Sequence, residues 1–572
     1  MAKEAHERES RSISRRYFLG GIGAGAVAAS APSVFFPRGV QAQTRSTRFS
    51  PIREDRFGRM FPNLDPFFRD NTPALRAAMR DIGKPGGILD ARDQLGDGGE
   101  AAATALIVNP ALNLNNPNNA VQTAGTTFIG QFIDHDLTFD QTSALAVETE
   151  PADSPNTRNP RFDLDSVYGD GPLANPELFV RPGDRRERPT KLLIESGGLF
   201  EDVPRDRDDI AIIADPRNDE NMMISGLQAA VILFHNKAVD LVKREDRGAS
   251  SEEVYEKANQ LTRWHYQWIV LHEILPLFIG QAAVDNILNN GRKFYRPEKP
   301  QIPVEFQGAA YRMGHTLVRP SYRANLAGDN DGSPFFAMIF DPSGEGQADP
   351  VDLRGGARAR RRFIGWQTFF DFGPAFTDAP GNPNPAIRPN KRVDSTVSTP
   401  LFHLPLQTIA GAVPGDIISL PQRNLLRGIT WSLPSGQRIA REIGAPVLNS
   451  SNDPFLAQVQ AVSDSFDTRL KLGDSTPLWA YVLNEGLPLG NEGRHLGPVG
   501  GRIVGEVFIG LLQLDRDSYL NADRRWRPTL PQRNGRTGDF RMIDFLTFAG
   551  VAPDSARLRG TKAGGGLPAG TP

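Results

Sequence analysis

The density of chain breakers limits this fold more than any other feature: 56 glycines and 46 prolines stand among 572 residues. Both interrupt regular elements where they cluster, so long loops must surround whatever helices form. The clusters, rich also in Asp and Asn, fall at 84–100, 107–123, 141–160, 181–210, 324–350 and 372–400. Between them helical periodicity prevails. Leu227, Val231, Phe234, Ala238 and Leu241 repeat every three or four residues within 224–242, and 252–280 continues the pattern up to Gly280. Segments 302–318 and 501–514 read as buried helices, alternating strands are scarce, and no internal repeat is visible. The class predicted is mainly α. At about 150 residues per domain, length alone suggests three or four domains or one unusually large one.

Charge and composition exclude several functions. With 65 Lys+Arg against 67 Asp+Glu, the chain lacks the basic surplus that nucleic acid or an anionic membrane would require. It has no cysteine, which removes disulfide frameworks, zinc ribbons, iron–sulfur clusters and thiol nucleophiles. The start is an address. Ser14-Arg15-Arg16-Tyr17-Phe18-Leu19 is a twin-arginine pattern, followed by a weakly apolar stretch to Phe36 and a small-residue cleavage site at Val40-Gln41-Ala42. We expect residues 1–42 to be a Tat-type signal peptide, and the mature chain to be periplasmic or secreted. No later stretch reaches 18 uninterrupted apolar residues, so no membrane span is expected. The Gly-rich tail 556–572 is expected to be loose.

Five segments carry chemistry. In Gln131-Phe132-Ile133-Asp134-His135-Asp136, a helix would place Gln131, Asp134 and His135 on one face. A His between two carboxylates is a metal ligand, a general base or a solvated cluster, and the apolar residues on either side disfavour the last. Asn159-Pro160-Arg161-Phe162-Asp163-Leu164-Asp165-Ser166 alternates oxygen donors as a hard cation requires, without the spacing of an EF-hand. Arg217 and Glu220 stand ahead of the long helix at 224–242, where a surface ion pair is the plain reading. Tyr311-Arg312-Met313-Gly314-His315 sets a His beside a helix-weakening Gly, which suggests close approach of another group to the backbone. Asn424, in Arg423-Asn424-Leu425-Leu426-Arg427-Gly428, would ordinarily be a helix or turn cap.

The order of these segments, together with His235-Asn236 and Gly497-Pro498-Val499-Gly500-Gly501-Arg502, resembles the animal-type haem peroxidases of the peroxidase–cyclooxygenase superfamily, in the branch that includes bacterial members. The resemblance runs from about residue 50 to 550. It implies one large, mainly helical haem-peroxidase domain with long loops, over residues 43–555, in place of several domains. It implies His315 as the proximal iron ligand with Asn424 on its other ring nitrogen, His135 as the distal base, Arg217 as its cationic partner, and Gln131 near a small-anion position. Arg312 resembles the partner of a haem propionate. Asp134 and Glu220 match the carboxylates that become esters to haem b. A sulfonium link is not expected, because Asn221 stands where one branch has Met. Calcium would be held by Asp136, Asn159, the backbone oxygen of Arg161, Asp163 and Asp165, with Asn159 and Asp165 replacing the hydroxyl residues common in the family.

The implied activity is that of an exported peroxidase. Hydrogen peroxide would oxidise the iron, and the ferryl product would oxidise a small donor such as a halide, thiocyanate or phenol. One rival is a fatty-acid dioxygenase or cyclooxygenase on the same fold. Such relatives use a radical-carrying Tyr three residues before the proximal His, where this chain has Arg312, with Tyr311 one residue further away. The other rival is a catalytically silent, calcium-stabilised binding or adhesion protein. The sequence leaves the physiological donor and the oligomeric state open.

Overall fold

The longest helix, Met222–Glu245, begins where Asn221 Oδ1 accepts the amide of Ile224 at 3.0 Å. It packs against Ser251–Ile269, whose start is a reciprocal capping box between Ser250 and Glu253. In this computed structural model, residues 55–555 are described apart from 185–186, 197–200, 327–334, 345–346, 348, 357–361, 374–386, 410 and 536. The expected signal peptide and the tail 556–572 therefore lie outside the described residues. What is described belongs to one compact unit, Gly39–Pro572, around one main hydrophobic core.

The helix Pro498–Leu514 runs through this core and is apolar nearly all round. Its first amides are satisfied by a buried carboxylate, Glu485, which accepts from Val499 at 3.2 Å and Gly500 at 2.7 Å. Near the C-terminus, Met542–Ala549 docks on the longest helix through Phe545, stacked on Phe234 with ring centres 4.0 Å apart. Strand structure among the described residues is confined to isolated bridges and three two-stranded antiparallel ribbons: Asn118–Thr123 with Pro389–Lys391, Glu195–Ser196 with Glu201–Asp202, and Ser321–Asn325 with Phe335–Met338. Among the described residues, the helix Met222–Glu245 is long and apolar enough to cross a membrane, and 83% of its apolar window is buried inside the protein.

The structure departs from the periodicity in two places that matter for the site. Segment 302–318 is not one helix. It breaks into Val304–Gly308, Ala310–Met313 and Gly314–Leu317, because Ala309 leaves helical geometry at φ −144°, ψ −71°. A Cβ on Gly308 would meet the Trp431 ring at 2.9 Å, so only glycine fits at this break. The helix Ser251–Ile269 continues through a π-turn, Val270–Ile274, before Leu275–Ile279.

Candidate active site

A cavity of about 290 Å³ opens between the helix Ala124–Leu137 and the broken segment that ends in His315. The helix places Gln131, Asp134 and His135 on its cavity face. Arg217, Glu220, Arg312 and His315 line the same space, although they come from segments up to about 180 residues apart.

His135 has its tautomer set by a neighbour that sequence reasoning missed. Its Nδ1 lies 2.9 Å from Asn218 Oδ1, an oxygen that can only accept, so Nδ1 carries the proton and Nε2 keeps its lone pair. Asn218 is itself held by donating to Gln228 Oε1 at 2.8 Å, and both amides are buried. Burial, followed by the positive charge of Arg217, pushes the His135 pKa down to about 3. The ring is a neutral base over the whole physiological range.

Arg217 lines the cavity with much of its guanidinium already engaged. Nε donates to Asp215 Oδ1 at 3.0 Å, and Nη2 donates to Asp215 Oδ2, His135 O and Thr138 O at 2.8, 3.1 and 2.7 Å. The cation lies 4.0 Å over the Phe139 ring. Asp215, fully buried, is the anchor. Burial works to raise its pKa, but Arg217 and Arg158 override that and hold it well below the usual carboxylate range. Sequence reasoning missed Asp215 too, although an Asp before Pro216 is a recognisable cap for the short 3-10 turn Pro216–Asp219.

The two remaining carboxylates at the cavity both bind their proton more tightly than usual. Burial pushes Glu220 up to about 8, against the pull of Arg217, and burial also raises Asp134. Gln131 is clamped between neighbours: its Nε2 donates to Glu220 Oε1 in a short contact, and its Oε1 accepts from Asn221 Nδ2 at 3.2 Å. Asn221 thus serves as helix cap and amide clamp at the position where a sulfonium-forming Met would stand.

On the opposite wall, the amide of Asn424 meets His315 Nδ1 at 2.7 Å. Asn424 lies inside the helix Leu420–Thr430 rather than at a cap, so its side chain is aimed by regular helical geometry. Turning the amide to present its oxygen would make it accept Nδ1–H and leave Nε2 as a ligand lone pair. Arg312 donates to Gln307 O at 2.7 Å, and its 3.3 Å contact with Asn424 Oδ1 belongs only to the unturned amide. Arg427, not singled out from the sequence, also lines the cavity. It donates to Asp140 Oδ2 and Ser143 O at 3.1 and 2.8 Å, with burial lowering its pKa to about 10.

These residues fit a haem. A Cβ built on Gly314 would meet nothing within 4 Å, so the glycine leaves open space beside His315. A ligand-capable imidazole stands on one wall and a neutral base on the other, with Arg312 and Arg427 available to two carboxylate side groups.

Three of the five expected calcium ligands gather at the helix Ala124–Leu137, which carries Asp136. Asp136, Asp163 and Asp165 each bring a carboxylate oxygen within 4.8 Å of the others. Asp136 is fully buried, and its pKa is raised well above the usual range by burial and then by Asp163 and Asp165. Its Oδ2 has no well-formed hydrogen bond. Such crowding of like charges suits a cation. Asn159 approaches through nitrogen, its Nδ2 making a short contact with Asp163 Oδ2 and its backbone N–H donating to Asp165 Oδ2 at 2.9 Å. Arg161 sends its side chain toward Asp515, 3.8 Å away. Arg158, missed in the sequence, spans from Asp165 at 3.7 Å to Asp215 at 3.5 Å.

Residues 178–343 match the family model described as "Animal haem peroxidase". That span includes Arg217, Glu220, Arg312 and His315. Among curated proteins, the chain is 23% identical over 325 residues to heme peroxidase 2 of Caenorhabditis elegans, covering 53% of this chain and 39% of that protein. It is 28% identical over 152 residues to mouse (Mus musculus) myeloperoxidase, covering 25% of this chain and 21% of that protein. The matches therefore span well under half the length of these relatives. Peroxidase A of Dictyostelium discoideum superposes with a TM-score of 0.52 at 16% identity, covering 91% of this chain and 94% of that one, which shows a shared fold. Residues 178–343 thus match the animal haem peroxidase family, in a chain whose fold is shared with a peroxidase.

Proposed function

We propose that this protein is a haem peroxidase that reduces hydrogen peroxide and oxidises a small donor such as a halide, thiocyanate or phenol. The observation that carries the reading is the neutral Nε2 of His135, fixed by Asn218 and facing the cavity that His315 closes from the other side. A bound haem would supply an iron that binds peroxide and stores two oxidising equivalents. His135 Nε2 would accept a proton from one oxygen of hydrogen peroxide and return it to the other. Arg217, clamped by Asp215, supplies fixed positive charge where that oxygen leaves. Gln131, held by Asn221, offers a polar group to a small anion.

His315 would hold the haem iron through Nε2, with Arg312 and Arg427 holding the propionates. Asp134 and Glu220 would form the ester links, and the trio of Asp136, Asp163 and Asp165 would bind calcium. Tyr311 does not favour a dioxygenase reading: its hydroxyl is committed to Gly130 O at 3.0 Å, and its ring is stacked on Phe306. The test is an absorption spectrum of haem-loaded protein before and after a small dose of peroxide. A Soret band that shifts and returns on adding donor supports the reading. A Soret band blind to peroxide in protein that retains His135 and Arg217 would sink it. Acid extraction of the same sample tests the esters.

A further inference from the structure

Three of the chain's six tryptophans, Trp264, Trp268 and Trp526, meet in one cluster outside the cavity lining. Trp264 and Trp526 are half-buried, with ring centres 5.3 Å apart, and Trp268 is buried 6.1 Å from Trp526. Tyr519, also buried, sits among them at 5.5 Å from Trp526 and 5.6 Å from Trp268. Its hydroxyl lies 3.0 Å from His272 Nε2. The π-turn Val270–Ile274 carries that histidine and lets its ring stack on Trp268, 3.8 Å away, with one edge open to solvent.

We infer that the hydrogen-bonded pair Tyr519–His272, with the tryptophans around it, is a second oxidation site, at which aromatic donors too large for the cavity give up single electrons. The inference rests on the peroxidase reading, which supplies the oxidant.

A phenol is oxidised readily only when its proton has somewhere to go. Tyr519 O–H would break as one electron leaves toward the peroxide-oxidised cavity, with the proton passing to His272 Nε2. A donor phenol then returns one electron to the Tyr519 oxygen, His272 returns the proton, and the donor's own proton is released to water. The imidazole can accept because burial of its inner part and the nearby Arg527 keep it neutral down to about pH 4, while Asp539 pulls the other way. Its open edge lets the transient charge be solvated.

Among the described residues, the other tyrosines lack this combination. Tyr311 and Tyr295 donate to the backbone carbonyls of Gly130 and Gln301. Tyr168 does meet a histidine, His235 Nδ1, at 3.0 Å. That ring is fully buried beside Lys191, with Nε2 already facing Thr190 O, so charging it inside the core would be costly. The Trp268 indole N–H is buried without a hydrogen-bond partner among the described residues, so this ring can relay an electron but has no base to trap a radical.

A contiguous path leads back to the cavity wall. Tyr311 lines the cavity and lies 5.2 Å from Phe508, which lies 5.1 Å from Phe162. Phe162 O accepts from Gln267 Nε2 at 2.9 Å, and Gln267 Oε1 accepts the Tyr519 amide at 3.0 Å. Outside, Arg524, Arg525 and Arg527 are exposed beside Trp526, which favours donors carrying negative charge.

The test uses haem-loaded protein carrying ring-deuterated tyrosine, mixed with peroxide and freeze-quenched for electron paramagnetic resonance. In parallel, turnover is measured with a bulky disulfonated azine dye and with thiocyanate. We expect a tyrosyl signal that narrows on deuteration and is lost in Tyr519→Phe. We also expect dye kcat/KM to fall about tenfold in Tyr519→Phe and in the rim variant Trp526→Phe, with thiocyanate turnover unchanged. A tyrosyl signal undiminished in Tyr519→Phe overturns the inference, as does an equal fall for both donors. Absence of any tyrosyl signal in wild-type protein whose Soret band does respond to peroxide also overturns it, while leaving the peroxidase reading standing. A wild-type Soret band with no peroxide response defeats the peroxidase reading and this inference together.

Discussion

At the residue scale, the base role proposed for His135 depends on its second nitrogen being tied down by Asn218. Asn218→Ala removes the acceptor for Nδ1–H, so the ring is free to change tautomer and present a proton where a lone pair is needed. The expected result is a roughly 10- to 100-fold slower reaction with peroxide, with the ferric Soret band of the loaded protein unchanged. The pH profile gives an independent check. The pKa of His135 is lowered, not raised, so the base is present above about pH 3 and is lost only as pH falls through that value. The wild-type rate should therefore show no limb near 6.5, the ordinary imidazole value. A halving of rate near pH 6.5 would show that the ring is not held as described. Asn218 also marks the limit of what the sequence could reveal. Gln131, Asp134 and His135 share a face by helical spacing, and that was legible. The bond from His135 to Asn218 joins residues 83 apart, and that from Arg217 to Thr138 joins residues 79 apart, so no local pattern announces them. Arg427 is silent for the same reason, its bonds to Asp140 and Ser143 joining residues 287 and 284 apart.

At the element scale, periodicity found the long helices at 222–245 and 498–514 because their apolar faces pack on a common core. It failed at 302–318, where the apolar residues keep a helical spacing but Trp431 and Glu305 dictate the break. Glu305 accepts the amides of Met60 and Phe61 at 2.9 and 3.0 Å, tying the first short helix to a distant strand of chain. It also gave no warning of how the C-terminal segment is pinned. Buried His265 has Nδ1 2.7 Å from Leu261 O, while its Nε2 accepts the amides of Thr529 and Leu530 at 3.3 and 3.4 Å. Burial, partly offset by the Leu261 bond, lowers its pKa to about 4. A lowered folded-state pKa means the stabilisation is complete above about 6.5 and is lost as pH falls through about 4. Protonated Nε2 would point a proton at two amide donors. Hydrogen exchange should therefore speed up at 526–549 between pH 6.5 and 4, after correction for intrinsic rates, before it does so in Pro498–Leu514. His265→Gln, which has nothing to titrate there, should lose most of that step. Equal acceleration in both segments would mean that the histidine is no local latch.

At the scale of the whole molecule, a chain with no disulfide must join the distal helix to its surroundings by other means. The trio Asp136, Asp163 and Asp165 does so at a cost, since three carboxylates this close repel one another unless a cation sits between them. Arg158 extends the linkage by reaching Asp165 and Asp215, the anchor of Arg217. Losing the cation should thus weaken the fold and also loosen the distal cation at the active site. Calcium is favoured over magnesium because it accepts an irregular set of six to eight oxygens. A calcium-selective chelator should lower the thermal midpoint and slow the peroxide reaction, and calcium should restore both. At a hundredfold excess over Kd, the ion would contribute about 2.7 kcal/mol to stability. Asp163→Asn separates this account from simple surface chelation. With calcium present the variant should melt below wild type, having lost a ligand charge. After chelation the order should reverse, because one fewer carboxylate is left to repel the other two. A wild-type midpoint indifferent to chelation, or a variant that melts below wild type in both conditions by the same margin, would mean that the three acids are held by the protein alone.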